Sequence, residues 1–506
     1  MELKLSRQPL YINEIALDLE VEQPIECDAL LPDYCPDIVR ILKCSVQPVV
    51  TSRRISGLRV EVEGTACITI HYVSNGSGIA RGEYKVPFAK SIDLKAEPMC
   101  PAITVGAKVS YVNCRAINQR RLDIRGAINL HIQVMACREE AAICGGEGMG
   151  VQMKKQKHQA TQILGQTMRE SHFSEMLELS YGKAPIQTIV RHSGCVKMTE
   201  FKITPGKAIV KGEVQLHVLY MATTGAWEQM EFTLPLNAVV EVDGLDENSV
   251  CDVSMELLNL TMDPAQDSDG EYRCLQTEAV VLIVVRAHSS YEAETCADCY
   301  STRHPCTYHT KNFSTQNMCN MVRDSFTYKE TMPLPDNIES IIDLWCEVAG
   351  CEARMEAGGM SADGRVTVAM FAMMKDGDIY YFDKPLEIQR KIACEGSGPN
   401  MTPRMTCHSC SYSFISGDTI EIRCEMLLEG VVYATQKNTM IDEVTIDDKK
   451  PKTDMASPGL YLYLPDDGET MWDIAKRYNT SIDKIMEENG GQPSEEKAGV
   501  LLIPVL

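Results

Sequence analysis

The sequence predicts a mainly β protein with three tandem β-sandwich-like repeat domains, each with a short helix, followed by a small βααβ module. The repeats are indicated by two landmarks, an Ile-x-x-Ile motif and a glycine that follows it at the same distance in three places. After each glycine, apolar and polar residues alternate, which is typical of a half-buried strand. The C-terminal part of the chain lacks these landmarks and has two short helix-like stretches between strand-like ends.

The Ile-x-x-Ile motif is the first element of each repeat. Residues three or four apart share one face of a helix, so the motif predicts a short helical segment that buries its isoleucines. A glycine then marks the following strand in every copy. The first isoleucine and the glycine of the three copies are Ile38 with Gly64, Ile186 with Gly212, and Ile338 with Gly364.

A hairpin follows each landmark glycine, because the alternating stretch ends in a glycine-containing turn. A further apolar, β-branched stretch recurs later in every copy and predicts another strand. The turns are Asn75-Gly76, Thr224-Gly225 and Asp376-Gly377. The later strands are Leu122–Val134, Leu275–Val285 and Thr419–Val432.

Composition restricts the class of protein. The chain has 506 residues, enough for three or four domains, and its 71 acidic and 49 basic residues give a net charge of −22. Such a surface repels phosphate backbones and anionic lipid, so we expect no nucleic-acid partner. No apolar run is long enough for a transmembrane segment, and Met1–Glu20 carries charges throughout, which is unlike a signal peptide. The 21 cysteines are spread along the chain, as expected of an intracellular protein with mostly reduced thiols.

The repeats and the composition between them predict the domain boundaries. The glycine-rich stretch Gly145–Gly150 is expected to be a flexible connector, and a charged stretch poor in aromatic residues precedes the last module. The predicted spans are 1–145, 155–300 and 305–440 for the repeat domains, 441–458 for a linker and 459–506 for the C-terminal module.

The C-terminal module has a helix start signal in each of its helix-like stretches. Thr470 is a candidate cap for a first helix, and Ser481 for a second helix that stops at Asn489-Gly490-Gly491. Strand-like residues stand on either side, at Tyr461–Leu464 and Leu501–Pro504. The order is therefore β-α-α-β.

This module resembles the LysM domain, through Gly468-Glu469-Thr470-Met471-Trp472-Asp473-Ile474-Ala475 and the closing Leu502-Ile503-Pro504. The resemblance implies a shallow groove that usually binds glycans containing N-acetylglucosamine. Trp472, Ile474, Ile482 and Ile485 are expected to be core. The groove residues that the resemblance implies are Asp467, Gly468, Glu469, Thr470, Met471, Met486, Asn489 and Gly490.

The repeat resembles the SPOCS domain, through Gly182–Ile189 and Lys207–Tyr220. Tandem SPOCS-like units followed by one LysM module are similar to the SipL-like family of spore morphogenesis proteins. The resemblance implies a scaffold in the mother-cell cytoplasm at the forespore surface and in the spore coat. Its implied partners are a SpoIVA-like coat ATPase, bound by the LysM module, and other spore-coat proteins.

Enzyme chemistry has no support in the motifs. The sequence contains no G-x-S-x-G, no H-E-x-x-H and no phosphate-binding glycine loop, so we expect no enzyme and no cofactor. The alternative for the cysteines is zinc, since Cys296, Cys299, His304 and Cys306 lie close together in sequence and have suitable ligand chemistry. A second C-x-x-C, Cys407–Cys410, could also supply half of a tetrahedral site. Simple packing of thiols is the expectation for both sets.

Two functions remain open from sequence alone. The first is the spore-coat scaffold, and the alternative is a wall-associated LysM protein that binds peptidoglycan. A third hypothesis, an enzyme targeted by a LysM module, lacks a catalytic constellation.

Overall fold

The structure is a computed structural model, and it describes residues 2–75, 78–356, 359–393, 399–450, 452, 459–466, 468–490 and 500–505. The structure is 78% strand, with the strands paired antiparallel, so the prediction of a mainly β protein is confirmed. No described helix is long and apolar enough to cross a membrane.

Strands β1 to β19 form three units of similar strand order, and the third unit has one additional short strand, β17. The first unit contains β1 (Lys4–Leu30), β2 (Ile38–Ser56), β3 (Arg59–Ser74), β4 (Ile79–Asp93), β5 (Met99–Ala116) and β6 (Arg121–Glu147). The second contains β7 (Val151–Glu178), β8 (Ile186–Thr204), β9 (Lys207–Ala222), β10 (Trp227–Glu241), β11 (Val250–Ala265) and β12 (Cys274–Ser301). The third contains β13 (Cys306–Pro333), β14 (Ile338–Glu356), β15 (Gly359–Met374), β16 (Ile379–Ile392), β17 (Pro399–Met401), β18 (Arg404–Ser416) and β19 (Thr419–Ile446).

Each unit is a sandwich of two antiparallel sheets. In the first unit the sheets have the orders β1-β6-β5 and β2-β3-β4, and the second unit repeats them as β7-β12-β11 and β8-β9-β10. The third unit has β14-β15-β16 opposite a sheet in which β13, β17 and β18 all pair with β19. Buried side chains from both sheets fill the space between them, as Ile68 and Ile70 of β3 do with Ile128 and Leu130 of β6. This burial removes apolar area from water and holds the two sheets face to face.

The short helix expected at each Ile-x-x-Ile motif is not present, and the prediction of that helix was wrong. The motif of each repeat lies at the start of a strand, and the strand has one β-bulge after each isoleucine. Each bulge adds one residue, so isoleucines three apart return to the same side of the strand. A doubly bulged strand therefore produces the spacing that we interpreted as helical.

The landmark glycine is explained by a third bulge in the same strand. Gly64 lies opposite Val50 at that bulge, where a Cβ atom would stand only 2.5 Å from the Val49 carbonyl oxygen. Gly212 is in the same situation, with the Lys197 carbonyl oxygen 2.7 Å from its hypothetical Cβ. A contact below 3 Å forces the backbone to move, so only glycine lets the bulged strand approach this closely.

The three units pack around a common centre and contribute equivalent positions to it. One buried cluster contains two sets of equivalent residues, with one member of each set from every repeat. The first set is Leu42, Val190 and Ile342, and the second is Ile79, Trp227 and Ile379. A second cluster contains Ile143, Cys296 and Ile441, each of them fully buried beside a bulge in the long strands β6, β12 and β19. The units are therefore arranged with approximate threefold symmetry within one chain.

Ion pairs add specificity at the junctions between units. Arg191 of the second unit donates to Asp343 of the third at 2.6 Å, and its guanidinium lies 4.5 Å from the ring centre of Trp345. Arg404 of the third unit donates to Asp252 of the second at 2.8 Å. Burial raises the pKa of Asp252, but the charges of its arginine neighbours outweigh burial and lower it overall. The Asp252 carboxylate therefore remains ionised, and the two ion pairs fix the orientation of the units.

The connections between units are shorter than expected. β6 continues to Glu147 and β7 begins at Val151, so only the turn at residues 148–150 lies between them, where a flexible connector was expected. Similarly, β19 continues to Ile446 through the first part of the expected linker. Residues 447–450 and 452 follow it, and the remaining residues of that linker, 451 and 453–458, lie outside the described residues.

The C-terminal module has the predicted βααβ order. It consists of β20 (Gly459–Tyr463), α1 (Met471–Arg477), α2 (Ile482–Glu488) and β21 (Leu501–Val505), and β20 pairs antiparallel with β21. Trp472, Ile474 and Ile485 are buried as expected, and Ile482 packs against them from a half-buried position.

Candidate functional site

Thr470 and Glu469 stabilise the start of α1. Thr470 is its N-cap: the Asp473 backbone N–H donates to Thr470 Oγ1 at 3.3 Å, and Thr470 N–H donates back to the Asp473 carboxylate at 3.2 Å. This reciprocal pair is a capping box, which satisfies backbone donors at the helix start. The Glu469 carboxylate accepts from Tyr463 Oη at 2.7 Å and pairs with Arg477 at 2.5 Å. Both side chains therefore have a structural role beside any role in the groove.

Asn489 fastens the end of α2 to the closing strand. Its side-chain amide donates to the carbonyl oxygens of Ile485 at 2.6 Å and Leu502 at 2.7 Å. Its Oδ1 accepts from the Leu502 backbone N–H at 2.8 Å. With these three bonds both donors and the acceptor of the amide are engaged inside the module.

The remaining predicted groove residues are more accessible. Gly468 and Gly490 are exposed and adopt φ values of +83° and +77°, a left-handed conformation that favours glycine. Met471 and Met486 are half-buried, and Thr470 is exposed at its cap. Asp467 lies outside the described residues. We call Gly468, Thr470, Met471, Met486 and Gly490 the rim.

A single carboxylate of the second unit attaches the module to the repeats. Asp298, near the end of β12, accepts from the Trp472 indole N–H at 2.7 Å and from Lys476 Nζ at 2.7 and 2.8 Å. Trp472 and Lys476 are four residues apart on α1 and therefore share one face. Tyr308 of the third unit donates to the same carboxylate at 2.8 Å.

Aromatic packing surrounds this carboxylate. Tyr300 of β12 packs edge-on against Trp472 with ring centres 5.0 Å apart, and its hydroxyl donates to the Thr480 carbonyl oxygen at 2.7 Å. Lys452 donates to the Ser301 carbonyl oxygen at 2.8 Å and to Asn479 Oδ1 at 2.5 Å. Tyr300 is thus part of the hydrophobic core of the module. We call Asp298, Tyr300 and Lys452 the anchor.

The electrostatics of the anchor favour an ionised Asp298. Burial raises the pKa of this carboxyl, but hydrogen bonds from Lys476, Trp472 and Tyr308 outweigh burial and lower it below its usual range. A carboxylate with several charge-assisted donors is a strong acceptor. The anchor therefore has its full strength at neutral pH.

The anchor and the rim use different parts of the module. In the described part of the chain, the hydrogen bonds and ion pairs that join the module to the rest of the chain involve Trp472, Lys476, Asn479 and Thr480, and none involves a rim residue. Anchoring therefore leaves the rim available for a ligand.

Comparison with protein families gives the two kinds of domain a name. Residues 37–117 and 185–264 match the family model described as SipL, SPOCS domain, and residues 467–495 match the LysM domain. The chain therefore contains two segments that match the SPOCS domain and a C-terminal segment that matches the LysM domain, and in this combination it resembles SipL-type proteins. No curated protein and no solved structure matches the chain.

The domain matches set the coarse function. SPOCS and LysM domains are non-catalytic binding domains, and their combination fits a sporulation-related protein with a peptidoglycan-binding type of domain. The LysM match suggests glycan binding. The third unit lies outside the matched SPOCS segments, although its strands follow an order similar to that of the first two.

The structure does not bring the four zinc candidates from the sequence into one site. Cys299 and Cys306 approach to 3.8 Å between their sulfurs, but the Cys296 sulfur lies 3.7 Å from the Met153 sulfur instead. Cys296 occupies the fully buried position that Ile143 and Ile441 hold in the other units. Burial raises its pKa to about 11, as expected for a packed thiol.

Sequence reasoning missed two sets of residues. Asp298 stands between the two cysteines of the Cys296–Cys299 motif. Nothing in the neighbouring sequence indicates that its side chain contacts α1, which begins at Met471. The other set is a group of cysteines in the third unit, where Cys346, Cys407 and Cys424 have sulfurs within 4.8 Å of one another. Only Cys407 of these three was in a predicted motif.

Proposed function

We propose that the chain is a non-enzymatic scaffold of spore-coat and envelope assembly, which binds a SpoIVA-like coat ATPase through its LysM domain. On this proposal it acts in the mother-cell cytoplasm at the forespore surface and later belongs to the spore coat. The carrying observation is the separation of anchor and rim, because a domain fixed by one face can present the other to a partner.

The chemistry of the rim supports a protein ligand. Met471 and Met486 offer flexible apolar contact, which suits a protein surface that must adapt to a partner. Asn489 is engaged inside the domain, so the amide that would otherwise read a sugar hydroxyl is occupied. The predicted glycan contact through Glu469 meets the same obstacle, because its carboxylate is held by Tyr463 and Arg477.

The repeats support a scaffold role by their size and rigidity. Three sandwiches that share buried clusters form a broad platform, and other spore-coat proteins are the partners we propose for their outer faces. Cross-linking in sporulating cells should identify the protein that each unit contacts.

The test uses the full chain and a matched pair of variants. Met486→Asp places a charge in a rim that a partner would desolvate, which typically costs a few kcal/mol or about a hundredfold in affinity. Met486→Leu keeps the apolar contact and should bind the purified SpoIVA-like ATPase as the unmodified chain does. Circular dichroism and thermal unfolding should show both variants folded, because Trp472, Ile474 and Ile485 remain as the core.

The alternative function, peptidoglycan binding, is favoured by the LysM match itself. It predicts sedimentation of the chain with purified peptidoglycan and labelling of the whole cell wall by a fluorescent fusion. The scaffold predicts a fluorescent ring around the forespore and little sedimentation. Strong sedimentation by the full chain, together with no affinity for the ATPase, would replace the proposal with this alternative.

A further inference from the structure

Four cysteines from three strands meet inside the third unit. The sulfurs of Cys346, Cys407 and Cys424 lie within 4.8 Å of one another, and this is the one group of three potential metal ligands found among the described residues. Cys410 joins the group through Cys424, since their sulfurs are 3.4 Å apart. The group lies between the two sheets, beside the hydrophobic core of the unit.

A β-bulge turns both cysteines of one motif to the same side. Residues three apart on a regular strand point to opposite faces. In β18 the pairing shifts between Cys407 and Ser409, so that Cys407 lies opposite Met426 and Cys410 lies opposite Cys424. The C-x-x-C motif therefore presents two thiols inward, as a metal-binding knuckle does.

The equivalent space in the second unit is filled by hydrocarbon. The strand pairings place Gly194, Leu257 and Leu260 where the third unit has Cys346, Cys407 and Cys410. A Cβ atom on Gly194 would lie 2.9 Å from Leu257 Cδ2 and 3.2 Å from Leu260 Cδ2, so the glycine makes room for the two leucines. Aliphatic residues are therefore sufficient to pack these three positions, whereas the third unit has a cysteine at each of them.

We propose that Cys346, Cys407, Cys410 and Cys424 bind one zinc ion that closes the sandwich of the third unit. Zinc bonded to four thiolates at about 2.3 Å holds the sulfurs roughly 3.8 Å apart. The Cys410–Cys424 separation of 3.4 Å, and the limit of 4.8 Å within which the other three sulfurs lie, are close to this value. Closing the tetrahedron requires the Cys410 sulfur to move towards Cys346 and Cys407. Two of the three strands that carry these cysteines, β14 and β18, are at sheet edges.

The thiols of the group hydrogen-bond to one another, and this shifts their pKa values in opposite directions. Hydrogen bonding to neighbouring thiols, followed by burial, raises the pKa of Cys407 and of Cys410, whereas hydrogen bonds from Cys346, Cys407 and Cys410 lower the pKa of Cys424. Zinc binds thiolates, so each coordinated cysteine loses its proton to solvent when the ion enters. No electron is transferred in this step, and no co-reactant is required.

The test is the zinc content of the full chain, purified with reductant under anaerobic conditions. We expect about one zinc ion per chain by inductively coupled plasma mass spectrometry. In the Cys346→Val or Cys407→Val chain we expect less than about a tenth of a zinc ion per chain. These substitutions introduce the residue type of Val46 and Val109, which the first unit carries at the equivalent positions, so folding is expected to survive. Cys351→Val is the matched control, because Cys351 packs in the same core outside the group and should leave zinc unchanged.

A second measurement uses only the unmodified chain. Cobalt in place of zinc should give the intense visible bands of a tetrahedral ion and the charge-transfer absorption of thiolate ligands. Absence of zinc together with absence of the cobalt bands would overturn the proposal. So would zinc that persists in the Cys346→Val and Cys407→Val chains, or a Cys410–Cys424 disulfide in the anaerobic protein.

Discussion

The two C-x-x-C motifs lie in the same kind of local structure but have different surroundings. Cys296–Cys299 is in β12 and Cys407–Cys410 is in β18, and in both strands a bulge turns the two thiols to one side. Opposite the first motif are Ile143 and Ile441 at the centre of the three units. Opposite the second are two further cysteines, Cys346 and Cys424.

The comparison shows that the C-x-x-C spacing on a bulged strand decides which way the two thiols point. The residues that other strands place opposite those thiols decide whether they can bind a metal. The first motif has only one further thiol beside it, that of Cys306 next to Cys299, and Cys296 packs against the Met153 thioether and buried isoleucines. Its thiols therefore serve as small apolar side chains. Its functional residue is Asp298, which holds the LysM domain. The second motif faces sulfur and can serve a metal. The following predictions test this contrast, from the largest expected effect to the smallest.

The largest effect is expected at Cys424, which pairs with Cys410 of the second motif. Cys424→Val removes a central ligand of the proposed zinc and enlarges a side chain in a filled core, so we expect a loss of about 3 kcal/mol in stability of the third unit. Differential scanning calorimetry with and without a zinc chelator measures it. The chelator should lower the melting temperature of the unmodified chain and have no effect on the variant; an equal chelator effect in both would contradict the contrast.

Removing the anchor carboxylate should release the LysM domain. Asp298→Ala leaves the Trp472 indole N–H and the Lys476 ammonium without their acceptor, which costs the docked state about 2 kcal/mol. The fluorescence of Trp472 should shift to longer wavelength as Tyr300 and Asp298 cease to cover it. Asp466→Ala, at an exposed carboxylate of the same domain, is the control and should leave the emission unchanged.

Acid should weaken the anchor in a defined range of pH. The pKa of Asp298 is below its ordinary value of 3.8 in the folded chain, so the docked domain gains stability from this carboxyl that is fully present above pH 3.8 and is lost as pH falls through the lowered pKa. The effect is smaller than that of Asp298→Ala, because a protonated carboxyl can still accept a hydrogen bond. Trp472 emission followed between pH 6 and pH 2 should shift only below about 3.8, and a shift centred near neutrality would assign it to another group.

The smallest effect is expected at the first motif. Cys296→Val replaces a thiol with a side chain of similar volume at a position that is isoleucine in the other two units, so stability should change by less than about 1 kcal/mol. Thermal unfolding measures it, and zinc content should be the same as in the unmodified chain. A loss of zinc here would mean that the first motif, and not the second, holds the ion.

Much of the fold could be predicted from sequence because the repeats carry local signals. The alternating strands, the turns at Thr224-Gly225 and Asp376-Gly377, and the caps Thr470 and Ser481 depend on residues close in the chain, and these are present in the described structure. Gly76 of the remaining predicted turn lies outside the described residues. The helix at Ile38 failed because a doubly bulged strand and a helix give the same spacing. Local sequence cannot separate them, since the choice depends on pairing with β3.

The sites were harder to predict for a related reason. The zinc hypothesis from sequence joined cysteines that are close in the chain, whereas Cys346 and Cys407 reach each other only through the packing of two sheets. Asp298 likewise acts on a helix whose first residue is Met471. Contacts between distant strands follow from register, and register is set by the whole sandwich.

The anchor has a consequence for stoichiometry. The strand pairings put Gly145 and Glu443 at the positions in the first and third units that correspond to Asp298, while Glu147 and Thr445 correspond to Tyr300. A trimer of identical subunits would have either three docking positions for a LysM domain or none. Because the three copies are joined in one chain, they have diverged separately, and a nearly symmetric body holds one LysM domain in one orientation. Every copy of the protein thus carries a single LysM domain, attached at one of three similar positions.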